Sequence, residues 1–179
     1  MEIVSIDSFL PYYRNIRERT MRVVEVIPPD KIDWAYRDGK WSIGDILRHI
    51  AAIERYMWAE TIQGNPPQYS GCGKELADGF GEVVAYMYST HQESCAIFGQ
   101  LTDEDLQTKC ITPADLPVTK WKWLRALCEH EIHHRGQLYT YLGMLDVETP
   151  PLYGLTSEEV AAKAQTVLLK RSGPHATRE

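Results

Sequence analysis

The stretch WSIGDILRHIAAIERYMW, Trp41 to Trp58, decides how the chain folds. Its apolar residues Ile43, Ile46, Leu47, Ile50, Ile53 and Met57 recur at spacings of three and four, which is the period of one helix face. Ser42 and Asp45 read as a capping box in which Asp replaces the usual Glu or Gln. The pattern runs to near Gly64 and is closed by Pro66 and Pro67, because proline cannot continue a helix. One residue disturbs the apolar stripe: His49 shares its turn with Ile46, Ile53 and Tyr56. A bare imidazole is costly to bury, so His49 needs a polar partner.

The same punctuation appears along the rest of the chain. A first helix is expected from Ser8 to Ile27, stopped by Pro28-Pro29. A third is expected from Phe80 to Phe98, closed by Gly99, and a fourth from Thr119 to Gly143. A fifth, from Ser157 to Lys170, has Ser157 as its cap and Glu158 and Glu159 in its first turn. The segment QYSGCGKELADG reads as a loop. LTDEDLQTKCITPADLPV reads as an irregular connection with one helical turn at Thr102 to Leu106. No run alternates as a half-buried strand does. The fold class is all-α: an antiparallel four-helix bundle with an additional C-terminal helix. Residues 1–170 are expected to form one domain and 171–179 a loose tail in which His175 is exposed.

The chain has 179 residues, 44% hydrophobic and 25% charged, with a net charge of −6. This suits one globular domain. The acidic balance, with Lys and Arg scattered, argues against a nucleic-acid partner, which would call for a basic stripe. No apolar run approaches the ~20 residues that span a bilayer, and the N-terminus lacks a signal pattern. A cytoplasmic protein with no membrane partner is expected. Cys72, Cys95, Cys110 and Cys128 show no C-x-x-C pairing and are read as free thiols, with Cys128 a minor candidate ligand.

The fourth helix carries CEHEIHHRGQ, Cys128 to Gln137. His130 and His134 are four apart, hence on one face and able to share a metal. His133 is rotated by ~100° and cannot join them. A third ligand must come from another helix, and His49, on its apolar stripe, is favoured over His91 in its polar setting. His130-Glu131-x-x-His134 also matches the zinc-protease signature. The longer metzincin form needs Gly where Gln137 stands, and no sheet is expected above the helix, so the match is read as chance. Gln137, three beyond His134, and Tyr141, on the same face, are candidate catalytic residues. Arg135 is read as a surface ion pair or a carboxylate binder. Glu54 and Glu131 lie off the ligand face, and Trp58, Trp121 and Trp123 are read as packing.

KWSIGDILRHIAAIERYMW followed by HEIHHRGQLYTYLGMLDVETPPLYGLT resembles the DinB-like (YfiT-like) superfamily of small bacterial metalloproteins. The likeness runs from Ser42 to Thr156 and rests on W-S-x6-H ending at His49, H-x-x-x-H-R-G-Q from His130 to Gln137, the Y-L-G-x-L run and PPLYGLT. The segment after Leu155 is longer and more helical than the family pattern. The resemblance implies a four-helix bundle, commonly a homodimer, and a divalent metal, often nickel or zinc, held by residues corresponding to His49, His130 and His134. It further implies a small-molecule substrate. The first reading is a metal-dependent transferase using a low-molecular-weight thiol. The alternatives are a metal-dependent hydrolase in the same pocket, or a damage- or stress-induced binding protein with a structural or vestigial metal site. Three imidazoles suit borderline metals, and three protein ligands leave a coordination position open.

Overall fold

The computed structural model describes residues 2–172, so His175 lies outside the described residues. The described residues fall into two compact units, divided between Thr149 and Pro150. The first holds helices α1 (Ile6–Val24), α2 (Ile43–Ile53), α3 (Ala59–Ile62), α4 (Phe80–Phe98) and α5 (Lys120–Met144), and the second holds α6 (Ser157–Ser172). Within the first unit α1 packs on α4 and α5, and α2 packs on the same two helices, which closes a four-helix bundle.

The contacts fix the direction of each helix. Phe9 meets Phe98, Tyr13 meets His91, and Arg17 reaches Met87, so α1 and α4 are antiparallel. His49 meets His130 while Trp58 meets Trp123 further back along α5, so α2 and α5 are antiparallel too. Arg17 pairs with Glu131 and, one turn on, Arg135 bonds Thr20, so α1 and α5 run parallel. It follows that α2 and α4 also run parallel. The bundle is two antiparallel pairs set side by side. A parallel neighbour cannot be joined by a tight turn, so the segment between α3 and α4 must travel back along the bundle as a crossover.

The α2 start follows its sequence. Ser42 Oγ accepts the Asp45 amide at 3.1 Å, and the Asp45 carboxylate accepts the Ser42 amide at 2.8 Å. The Gly44 amide donates to Ile32 O at 2.7 Å, and a Cβ at Gly44 would sit 3.0 Å from that same oxygen. α2 does not stop at Ile53. It widens into a π turn, Glu54–Trp58, and resumes as α3. Inserting one residue into the turn re-phases the faces on either side, which lets His49 face α5 while Glu54 faces α1 and α4.

Several sequence expectations need adjustment. α1 starts at Ile6 and ends at Val24, before the prolines. The helical turn in the α4–α5 connection falls at Asp105–Gln107. The same connection forms a short antiparallel hairpin, β1 (Lys109–Ile111) with β2 (Pro117–Thr119). Three residues per strand are too few to show alternation in sequence. In the second unit the cap of α6 is Thr156, not Ser157: Thr156 Oγ1 accepts the Glu159 amide at 3.2 Å and Glu159 accepts the Thr156 amide at 2.7 Å.

Apolar residues of α1, α3, α4, α5 and the helical turn at Asp105–Gln107 fill one end of the bundle, among them Phe9, Tyr13, Ile62, Phe98, Leu106 and Leu124. Nearer its middle lies a buried ionic network. Arg17 bonds Glu131 through Nε at 3.0 Å and through a second nitrogen at 3.1 Å, and also pairs with Glu54. Thr20 donates to Glu131 at 2.7 Å, and His91 Nδ1 lies 2.9 Å from the other oxygen of Glu54. No described helix is long and apolar enough to cross a membrane.

Candidate metal centre

His49 lies midway along α2, and His130 and His134 lie one turn apart on α5. Because α2 and α5 are antiparallel neighbours, the three rings meet. His130 Nε2 is 3.0 Å from His49 Nε2 and 3.1 Å from His134 Nε2. One nitrogen from each ring lies within 4.8 Å of the other two.

The outward nitrogens are held as well. His49 Nδ1 lies 2.8 Å from Tyr69 Oη, and His134 Nδ1 lies 3.0 Å from Gln137 Oε1. With Nδ1–H donated to those oxygens, His49 and His134 each turn an Nε2 lone pair toward His130 Nε2. One ring hydrogen on His130 cannot satisfy both, whereas a shared cation can. The donor set therefore fits a divalent metal of borderline softness. Burial, with His134 alongside, lowers the pKa of His49 to about 4. Burial again, with the other three histidines of the cluster region, lowers His130 to about 3. Burial lowers His134 too, against the pull of Gln137. All three rings are thus neutral ligands at pH 7, the form that metal binding needs.

Aromatic rings frame the cluster. Trp41, 40% exposed, lies over His49 with ring centroids 4.6 Å apart and over His134 at 6.0 Å. Buried Trp58 packs on His130 at 4.9 Å and on Trp123 at 5.3 Å. Tyr141 is buried and donates its hydroxyl to Trp41 O at 3.1 Å, so it holds the segment that presents Trp41. Gln137 holds His134. His133 is exposed, stands beside the His134 ring, and adds no atom to the cluster.

Other candidates lie elsewhere. Glu131 is 1% exposed, with both oxygens spent on Arg17 and Thr20 on the far side of α5, so it cannot serve as a zinc-protease base. His91 partners Glu54 rather than the other histidines. Arg135 is neither a surface ion pair nor a carboxylate binder: it is 3% exposed and donates to Ile16 O at 3.1 Å, because the parallel packing of α1 on α5 covers it. Cys128 is no ligand. It packs in the apolar core, where burial pushes its thiol up to about 12. The sequence reading gave no site role to Tyr69, which a loop delivers, or to Trp41, which it placed only as the first residue of the W-S-x6-H motif.

A helical bundle with three histidines converging from two antiparallel helices defines the class of protein. Residues 12–138 match the family model of the DinB superfamily, and the chain belongs to that superfamily. The uncharacterized protein YjoA of Bacillus subtilis (strain 168) is 26% identical over 150 residues, 82% of this chain and 95% of the relative. The crystal structure of YjoA matches with a TM-score of 0.67 at 24% identity, covering 83% of this chain and 99% of that one. A DinB-like protein from Bacillus cereus ATCC 10987 matches with a TM-score of 0.71 at 18% identity, covering 84% and 99%. YfiT from Bacillus subtilis matches with a TM-score of 0.56 at 18% identity, covering 77% and 87%. That protein is described as a "probable metal-dependent hydrolase with an unusual four-helix bundle topology".

Proposed function

We propose that this chain is a divalent-metal-dependent enzyme whose metal is held by His49, His130 and His134, and that it activates a low-molecular-weight thiol for transfer to an electrophilic small molecule. The observation that carries the reading is the convergence of three neutral imidazoles with their Nε2 atoms facing one another. A divalent metal in that position would lower the pKa of a thiol or a water bound to it.

The protein's own groups favour the thiol. A water nucleophile in a zinc-protease-like site is paired with a carboxylate base. Glu131, which stands in the base position of the zinc-protease match, and Glu54, on the continuation of α2, have both oxygens engaged by Arg17, His91 and Thr20. A thiol is far more acidic than water and needs no such base once its anion is stabilised. Gln137 fixes the His134 ring, Tyr141 fixes the backbone behind Trp41, and the Trp41 indole covers the ligand rings from the solvent side.

A hydrolase is the second reading, favoured by the description of YfiT, which shares the fold. One experiment separates the two. Protein purified without a histidine tag is analysed for bound metal, then assayed with an electrophilic acceptor and with ester and amide substrates, with and without a panel of thiols. About one divalent ion per chain and turnover that requires thiol are expected. Turnover of esters or amides without thiol would favour the hydrolase, and failure of the wild-type chain to take up any divalent metal would sink both.

A further inference from the structure

We infer that Tyr69 is a positioning residue for the metal centre: its hydroxyl fixes the ring and tautomer of His49, and the crossover between α3 and α4 exists in its present path to deliver it. The inference rests on the three-histidine reading above and adds to it a residue outside the ligand set.

The contact with His49 and the fastening of the loop converge on this reading. Tyr69 Oη lies 2.8 Å from His49 Nδ1, and the two rings meet edge to face with centroids 5.6 Å apart. When His49 Nε2 faces a cation, Nδ1 must carry the hydrogen, so Tyr69 Oη must be the acceptor. The result is a directed hydrogen bond, His49 Nδ1–H to Tyr69 Oη.

The loop bearing Tyr69 is clamped rather than loose. The Gln68 amide donates to Tyr56 O, inside the π turn, at 2.6 Å. Arg48, fully buried one residue before His49, donates to Cys72 O at 2.8 Å and Ala77 O at 3.1 Å, and pairs with Asp45 at 2.6 Å. A buried guanidinium spent on two loop carbonyls is an expensive fastening. With Gln68 fastened just before Tyr69, and Cys72 and Ala77 fastened after it, the segment is held on both sides of the hydroxyl that touches the ligand. Outer hydrogen-bond partners of metal-bound histidines typically account for about 10–100-fold in metal affinity.

The test compares wild type, Tyr69→Phe and His49→Ala, loaded with Co(II) as the probe. Tyr69→Phe keeps the ring and its packing, so its melting temperature should stay within about 2 °C of wild type, while Co(II) affinity falls about tenfold or more. The second readout is magnetic resonance. In the Co(II) protein the Nδ1–H of His49 should appear as a strongly shifted, slowly exchanging signal, absent in His49→Ala and broadened by solvent exchange in Tyr69→Phe. A role confined to packing would leave that signal intact. Co(II) affinity within twofold of wild type and an unchanged signal in Tyr69→Phe, with His49→Ala losing the metal, would overturn this inference alone. Co(II) uptake that survives in His49→Ala would overturn the ligand set on which it rests.

Discussion

His133 and His134 are neighbours in the chain and differ in fate. One α-helical step of ~100° separates a buried ring in the cluster from an exposed one. Replacing His49, His130 or His134 by alanine should lower metal affinity by more than the ~10–100-fold expected for an outer partner, while His133→Ala keeps full stoichiometry. Titration of each variant with Zn(II) or Ni(II) against a competing chelator checks this, and metal loss in His133→Ala would contradict the geometry. His91 carries a different prediction. Burial opposes its charge, but hydrogen bonds to Cys95 and Glu54 raise its pKa to about 9. A pKa raised in the folded state contributes stability that is fully present below the unfolded value of about 6.5 and is lost as pH rises through 9. Thermal stability should therefore decline between about pH 6.5 and 9, and His91→Gln should flatten that decline. An unaltered pH profile in the variant would show that His91 is not the group responsible.

At the scale of elements, Arg17 ties α1 to both α5 and the π turn after α2, and His91 brings in α4. Removing one partner of a buried ionic network leaves the others uncompensated and typically costs about 3–5 kcal/mol. Arg17→Met, which keeps the length of the side chain, should destabilise by that order because Glu54 and Glu131 remain buried. Adding Glu54→Gln and Glu131→Gln should recover part of the loss. Urea denaturation of the single and triple variants measures both. A triple variant no more stable than Arg17→Met would mean the network is not electrostatically coupled. The elements also show where local pattern was enough. The Ser42–Asp45 cap, the Phe80–Phe98 helix and its stop at Gly99 were legible because each rests on residues within one turn of one another. The hairpin after Lys109 was not, because three-residue strands are made by pairing rather than by their own periodicity. Thr156 was passed over as a cap for Ser157, one residue away, because both residues have hydroxyls and only the backbone geometry chooses between them.

For the whole molecule, the family match ends at residue 138, and every residue of the cluster and its surround lies in the first compact unit, which ends at Thr149. A chain truncated after Thr149 should keep its helical circular dichroism in proportion to length and bind the same metal per chain, with a melting temperature within a few degrees of the full chain. Loss of metal binding on truncation would give the second unit a part in the centre. The sequence by itself determined which segments are helices and that His130 and His134 share a face. It also singled out His49 as a histidine that needs a partner. All of these follow from interactions within a few residues, where the helix period places side chains. Only the tertiary structure decided the rest. It ran α2 parallel to α4 and antiparallel to α5, so that His49 meets His130 and His134 and not His91. It buried Arg135 and Glu131 against α1. It also sent the chain back along the bundle so that Tyr69 reaches His49. Helix direction is set by which faces can bury together across the whole bundle, and no local pattern carries that information.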